Sequence, residues 1–222
     1  MKTGPPRTPA VVASRAEEIV DIAARLFYER GYPSVSTRAL AQAAGIQGGS
    51  LYHHFTSKEE ILYRIVQYGS GEFFAGLLPH LEAPEAVSPG RISGAPGCPG
   101  DTPGPPGYAA RLDRFVRGYI TDAQPRRYAI AVLFRDMAHL SPDHFVELQA
   151  VRRRFQQTVQ RFLADGVAAG EFHVPDAKVA GIAVLDLLKG VDAWIKEPGR
   201  LGRRQVADTY AVLILQLMGA SL

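Results

Sequence analysis

Cysteine is almost absent from this sequence, and long apolar runs are absent altogether. Its 222 residues include one cysteine, Cys98, so an internal disulfide is excluded and a reducing compartment is favoured. No run of about 18 apolar residues is present that would cross a membrane, and the N-terminus lacks the apolar stretch of a signal peptide. We therefore expect a soluble cytoplasmic protein that makes no contact with a membrane.

Motifs of known catalytic sites are also missing. The chain has no glycine-rich phosphate loop, nucleophile elbow, metal-spaced cluster or pair of carboxylates in a catalytic pattern. His53 and His54 are neighbours, but adjacent side chains on a helix diverge by about 100°, and no third metal ligand is close in sequence. We expect no catalytic residue, no cofactor and no bound metal, and therefore no enzyme.

The composition is that of an ordinary globular protein. Apolar residues make up 46% of the chain and charged residues 21%, which is enough apolar material for a core without a metal or a disulfide. The net charge of +3 does not by itself indicate nucleic acid, because many soluble proteins carry a similar charge. The positions of the positive groups are more informative than their number.

Apolar residues recur at helical spacing along most of the chain. Capping-box patterns at residues 14–17 and 57–60 open two helices, and Gly31 ends the first of them. Sustained alternation of apolar and polar residues is absent, so we expect an all-α fold. Residues 1–13 are predicted to form a flexible basic arm. The proline- and glycine-rich residues 83–107 are predicted to form a disordered loop, because they have too little apolar surface to offset the entropy of ordering.

Residues 37–55 have the spacing of a helix-turn-helix. Ala41 is small where two helices must cross closely, and Gly45 tolerates the left-handed backbone that a tight turn requires. Ile46 then points inward, to a small core that it shares with Leu40, Leu51 and Phe55. The spacing alone leaves an alternative open, in which it arose by chance and the aromatic residues belong to an ordinary core.

The outer face of the second of these helices carries polar side chains that can donate to phosphates or base edges. Arg38 and Lys58 flank this face, and each is placed to neutralise a phosphate. The predicted DNA-binding surface consists of Arg38, Gln47, Gly48, Ser50, Tyr52, His53 and Lys58.

Residues 19–62 closely resemble the DNA-binding domain of the TetR family. The resemblance rests on AARLFYERGY (residues 23–32), LAQAAGI (40–46) and GSLYHHFTSKE (49–59). It implies a dimeric repressor of transcription whose recognition helix enters operator DNA, with Tyr52, His53 and Lys58 at the phosphate backbone or groove. Gly48 departs from the family, which often has a lysine or another polar residue there, so base contacts would rest on Gln47, Ser50 and the basic arm.

The C-terminal part of the chain favours association with a second copy. Residues 179–195 are apolar on nearly every face, and such a helix must be covered on every face. The resemblance implies a four-helix bundle formed by the last two helices and their symmetry mates. The alternative is that both helices are only intrachain core. The predicted dimer contacts are Val184, Leu188, Val191, Tyr210, Leu213 and Leu217.

Several large apolar side chains in the same part of the chain are candidates for a ligand pocket. Aromatic residues at helical spacing are more often core packing, but the family encloses a ligand among its fourth to eighth helices. The predicted lining residues are Phe73, Tyr119, Phe134, Met137, Phe155, Phe162 and Trp194. Residues 188–210 further resemble a TetR subgroup that responds to acyl-CoA thioesters in fatty-acid, sterol or aromatic-acid catabolism. Residues 152–154 are three arginines that can meet a CoA phosphate, although a solvated helix face explains them as well.

We therefore expect three parts: the arm at 1–13, a helix-turn-helix domain at 14–56, and a ligand-binding and dimerisation domain at 57–222. The functional hypothesis is a dimeric repressor that binds double-stranded operator DNA and leaves it when a small-molecule effector, an acyl-CoA thioester by the resemblance, binds. The alternatives are an α-helical enzyme or carrier of a hydrophobic ligand, and a helix-turn-helix protein that acts only as an interaction module.

Overall fold

The computed structural model describes residues 14–82, 106–122, 127–195 and 199–220. The predicted basic arm, Cys98 and all but the last two residues of the predicted loop at 83–107 lie outside these ranges. Within them the prediction of an all-α fold is confirmed, because every regular element is helical.

The chain passes through two groups of helices. The first group comprises α1 (Arg15–Arg30), α2 (Thr37–Ala43) and α3 (Gly48–Leu51). The second comprises α4 (Lys58–Leu81), α5 (Tyr108–Asp122), α6 (Arg127–Asp136), α7 (Pro142–Ala168), α8 (Ala177–Trp194) and α9 (Arg203–Leu217). A 3₁₀ turn, Met137–His139, joins α6 to α7.

The ends of α1 are fixed by local sequence, as predicted. The Ser14 hydroxyl accepts a hydrogen bond from the Glu17 N–H at 3.3 Å, and the Glu17 carboxylate accepts one from the Ser14 N–H at 2.6 Å. Gly31 ends the helix with a φ of 81°, a conformation that glycine adopts without strain.

The second capping-box prediction is only half right. The Ser57 hydroxyl does accept a hydrogen bond from the Glu60 N–H at 3.0 Å. The Glu60 carboxylate, however, accepts from the N–H and the hydroxyl of Thr56, both at 2.6 Å. Thr56 offers two donors to one carboxylate oxygen, where the Ser57 backbone would offer only one, and this explains the difference.

Each group of helices has its own part of the core. In the first group, Ala23, Phe27 and Leu40 are at most 1% exposed. In the second group α5 is central: it contacts α4, α7, α8 and α9, and its Phe115 is fully buried. Since α1 also packs on both α4 and α6, the two groups form one continuous hydrophobic core.

Candidate nucleic-acid interface and internal cavity

The turn between α2 and α3 has the predicted helix-turn-helix geometry. Ala41 is 2% exposed, and Gly45 has a φ of 65°. The Ile46 N–H donates to the Ala41 carbonyl at 2.9 Å, which closes the turn. Ile46 itself is half-buried and packs on the core as expected. The two helices are therefore held in a fixed relation by residues that the sequence identifies.

Most of the predicted DNA-binding residues are on the surface of this unit. Gln47, Gly48, Tyr52 and His53 are exposed, and Ser50 is half-buried. The Tyr52 ring is held in place because its hydroxyl donates to the Thr37 hydroxyl at 3.3 Å. The remaining flanking cation, Arg38, is exposed on α2.

The start of α3 is open to its surroundings. Neither a Cβ at position 48 nor one at position 49 would come within 4 Å of another part of the protein. The two glycines therefore satisfy no packing requirement of the isolated chain. They leave the backbone bare on the face that also carries Gln47 and Tyr52.

Lys58 does not face outward with this group. Its ammonium donates to the carbonyl oxygens of Tyr32 and Val35, both at 3.0 Å, and lies 4.2 Å from the centre of the Tyr32 ring. Burial lowers the pKa of Lys58. The geometry does not support the prediction that Lys58 neutralises a phosphate, because the side chain is used to attach the loop after α1 to the start of α4.

Glu59, which no sequence pattern singled out for a role, anchors α4 to α7. Its carboxylate accepts hydrogen bonds from the Ser141 N–H at 3.0 Å and from His144 Nδ1 at 2.9 Å. The His144 ring stacks on Tyr63, with ring centres 3.8 Å apart. Burial alone would raise the pKa of Glu59, but the hydrogen bonds from His144 and Ser141 outweigh it and hold the pKa below its ordinary value.

A cavity of about 120 Å³ lies among α4, α5, α6, α7 and α8. Three of the predicted ligand-binding residues line it: Tyr119, Phe134 and Phe155. Phe74, Ile182 and Leu185 complete its apolar wall. Burial raises the pKa of Tyr119 above its ordinary value.

The other four predicted ligand-binding residues lie elsewhere. Phe73 packs edge-on against Tyr119, and Met137 is buried with its sulfur 3.8 Å from Arg152 Nη1. Phe162 belongs to a separate aromatic cluster with Tyr108 and Phe172. Trp194 is 50% exposed and stacks on Tyr210. Helical periodicity correctly indicates that the first three are buried, but they are buried against neighbours and do not face this cavity.

Two cations stand at the wall of the cavity. The Arg152 guanidinium lies 5.2 Å from the centre of the Phe134 ring, and the Lys189 ammonium lies 5.5 Å from it. Lys189 is paired with Asp186. Arg153 and Arg154 are exposed, so of the three consecutive arginines only Arg152 reaches the cavity.

The structure changes the expected dimer contacts. Val184, Leu188 and Val191 are at most 2% exposed in the single chain, because they pack in the intrachain core. They are therefore not available to a second copy. Leu213 and Leu217 are 52% and 50% exposed, and Tyr210 is half-buried. The other exposed apolar side chains on α8 and α9 are Val179, Ile182, Leu187, Trp194 and Val212.

Comparison with known families agrees with this geometry. Residues 19–65 match the model for bacterial regulatory proteins of the tetR family. Residues 106–218, more than half of the chain, match the model for a tetracyclin repressor-like C-terminal domain. The chain belongs to the TetR family. The DNA-binding match contains α2 and α3, and the C-terminal match contains most of the helices around the cavity.

Individual relatives of this TetR-family chain are similar over almost its whole length. It is 29% identical over 217 residues to the HTH-type transcriptional repressor KstR2 of Mycolicibacterium smegmatis, covering 95% of this chain and 93% of that protein. The crystal structure of the regulator PfmR from Thermus thermophilus is 30% identical, with a TM-score of 0.73 and coverage of 89% and 97%. AibR, crystallised with isovaleryl coenzyme A and operator DNA, shares the fold at 22% identity, with a TM-score of 0.75 and coverage of 94% and 100%.

Among the helices of the described ranges, none combines the length and the apolar character needed to span a bilayer.

The Glu59 anchor makes a testable contribution to stability. Glu59→Gln should lower the free energy of unfolding by roughly 1 kcal/mol at neutral pH, because an amide accepts weaker hydrogen bonds than a carboxylate. Since the pKa of Glu59 is lowered by folding, its stabilisation is present above the unfolded pKa and is lost as pH falls through the folded pKa.

Urea unfolding of both proteins from neutral pH down to about pH 3 would measure this difference. The difference in free energy of unfolding between the native protein and Glu59→Gln should disappear in the acid range. Glu29→Gln, which disturbs only an exposed pair with Arg25, is the matched control. If this difference in free energy of unfolding stays constant with pH, the ionised Glu59 carboxylate does not have the proposed role.

Proposed function

We propose that this TetR-family regulator is a homodimeric repressor that acts in the cytoplasm and is released from operator DNA by a small-molecule effector. The observation that carries the proposal is the exposed face of α3 on a closed helix-turn-helix, with a cavity in the domain behind it. The curated relative KstR2 is itself named as a transcriptional repressor, and this supports the same role here.

The DNA contacts follow from the exposed groups. Gln47, Ser50, Tyr52 and His53 would meet base edges or phosphates, while the bare backbone at Gly48 permits close approach. Arg38 would neutralise a phosphate beside the groove. Two copies of α3 must lie about 34–36 Å apart to enter successive major grooves of one duplex. An effector that prefers a dimer with another spacing would shift the population away from DNA.

Arg38 provides the direct test of DNA binding. Arg38→Met should weaken operator binding on every sequence and lower the slope of log K against log salt concentration by about 1, because one fewer counterion is released. Fluorescence anisotropy against the DNA upstream of the chain's own gene, or against a selected operator, measures both quantities across a salt series.

The matched control is Arg25→Met, because Arg25 is an exposed arginine of α1 that pairs with Glu29. It should leave the slope unchanged. Failure to bind any selected DNA would overturn the repressor assignment. Turnover of a thioester, or ligand binding without DNA binding, would favour the alternative of an enzyme or carrier.

The dimer would form through the exposed apolar side chains of α8 and α9. Leu187 and Trp194 on α8, with Leu213 and Leu217 on α9, are each at least 44% exposed. A second copy seated on them would remove this apolar surface from water at about 25 cal/mol per Å².

Leu213→Glu should convert the dimer to a monomer, because a carboxylate would be buried without a partner. Sedimentation equilibrium would measure the change, and operator affinity should fall with it. Val146→Glu is the control: Val146 is 64% exposed, but it lies on α7. A dimer that survives Leu213→Glu and Leu217→Glu together would place the interface elsewhere.

The effector would occupy the cavity beside Phe134. Its apolar wall suits a short or branched acyl group, and Arg152 suits an anionic or carbonyl oxygen. No carboxylate within the described ranges forms an ion pair with Arg152, so its charge is available to a ligand. An acyl-CoA thioester combines both features. That AibR, a protein of the same fold, holds isovaleryl coenzyme A supports this class.

Titration with a panel of acyl-CoA thioesters, starting with isovaleryl-CoA, tests the effector class. Arg152→Met should weaken binding of the active thioester by roughly tenfold or more, the usual worth of a hydrogen bond to a charged group. Arg153→Met is the control, because Arg153 is on the same helix but is exposed. Release of DNA by free carboxylic acids only would replace the thioester class with that of the acids.

A further inference from the structure

Two cavities meet at the side chain of Phe134. The first is the 120 Å³ cavity of the candidate effector site, and the second has a volume of about 240 Å³. Tyr119, Phe134 and Lys189 line both of them. Ile130 and Asp192 belong only to the wall of the second cavity. The three shared side chains therefore form the partition between the two spaces.

Neither cavity alone has the size of an ordinary ligand site. Small-molecule sites in proteins usually enclose roughly 300–1,000 Å³. The volumes of 120 and 240 Å³ together come to about 360 Å³, before the volume of the Phe134 side chain is added. The helices thus enclose a space of ordinary ligand-site size, which a few side chains divide into a smaller and a larger part.

Phe134 is held differently from the other aromatic residues of the first cavity. Phe155, for example, stacks on Phe74 with ring centres 4.1 Å apart. Within the described ranges no aromatic ring packs on Phe134, which is half-buried. Its ring centre lies instead 5.2 Å from the Arg152 guanidinium and 5.5 Å from the Lys189 ammonium, within the range of a cation–π contact. The two cations orient the ring, and empty space remains beside it in both cavities.

The Tyr119 hydroxyl supplies a polar group to both cavities. Tyr119 is 4% exposed, and its hydroxyl has no hydrogen-bond partner within the described ranges. Burial raises the pKa of Tyr119, Asp192 in the wall of the second cavity raises it further, and Arg152 in the wall of the first lowers it. The hydroxyl is therefore close to both walls. Because a buried tyrosine hydroxyl usually has a partner, this one is available to donate to a ligand oxygen.

We propose that Phe134 sets the size of the apolar group that the effector can carry, by dividing one ligand chamber into two parts. The part beside Arg152 takes a short or branched group, with an oxygen that accepts from the Tyr119 hydroxyl. A longer group would have to displace the Phe134 ring and break its contacts with Arg152 and Lys189. This inference rests on the proposed function, since it names the size class of the effector of that same site.

The competing explanation is that the Phe134 ring turns aside freely and limits nothing. The native protein would then accept long and short groups alike. A series of ligands of increasing length separates the two explanations. Each methylene group that enters an apolar cavity raises the affinity by about fourfold, and one that cannot enter adds nothing.

Straight-chain alcohols from butanol to octanol are the probes for the chamber itself. Each has an oxygen for the Tyr119 hydroxyl and needs no site for coenzyme A, so the alcohols test the partition whatever the natural effector is. NMR titration measures their affinities for the full-length native protein and for Phe134→Ala. The same titration with butyryl-, hexanoyl- and octanoyl-CoA then tests the proposed effector class.

In the native protein the affinity should level off before octanol, because the added methylene groups meet the Phe134 ring. In Phe134→Ala it should keep rising by about fourfold per methylene group through octanol. Tyr119→Phe should weaken the binding of every alcohol by roughly 2- to 10-fold, without moving the length at which the affinity levels off. The matched control is Phe145→Ala, which shortens another half-buried phenylalanine that lines neither cavity, and it should behave like the native protein.

Three results would overturn the inference: an affinity that rises through octanol in the native protein, a Phe134→Ala series that levels off at the native length, and no binding of any alcohol to Phe134→Ala. Thermal unfolding confirms that each variant is folded. Phe134→Leu, which should extend the series by less, takes the place of Phe134→Ala if that variant is not. If the alcohols follow the prediction but no thioester binds, the proposed effector class fails and the partition stands.

Discussion

The two helical groups are joined by cations that bind main-chain carbonyl oxygens. Arg135 reaches the last carbonyls of α1, and Lys58 reaches those of Tyr32 and Val35 in the loop that follows. The Tyr28 carbonyl lies in the last turn of α1, where carbonyls have no partner within the helix, so Arg135 satisfies an acceptor that would otherwise need water. The position of the DNA-binding unit depends on these bonds, because they fix both the end of α1 and the start of α4.

Such bonds differ from surface ion pairs in how they respond to change. A carboxylate partner can be removed by one substitution or neutralised by acid, whereas a backbone carbonyl can be neither substituted nor titrated. The Glu59 contact with Ser141 and His144 is the titratable exception. The junction thus combines two attachments whose acceptors do not titrate with one whose acceptor does.

The sequence predicted the features that are decided locally. Ser14, Gly31 and Gly45 act within one turn of their own helix, and each has the predicted role. Lys58 was misplaced because its partners lie 23 and 26 residues earlier in the chain. The partners of Glu59 are 82 and 85 residues away, and no spacing rule connects residues at those separations.

The cavity and the proposed dimer surface show the same limit of sequence-based prediction. Periodicity indicates which side of a helix is buried, but not whether that side meets a neighbour, a void or another chain. Phe134 and Phe162 therefore have the same sequence signal, although only Phe134 lines the cavity. Val184 and Leu213 likewise both belong to apolar helices, yet one is fully buried and the other is half exposed.

The empty space beside Gly48 and Gly49 has a consequence for the history of such a protein. Larger side chains at these two positions would displace nothing in the free chain. Under the proposed function, mutations there would alter which bases are recognised without a clash in the fold. On the same proposal, a duplicated copy of this chain could acquire a different operator in single steps, without passing through a form that fails to fold.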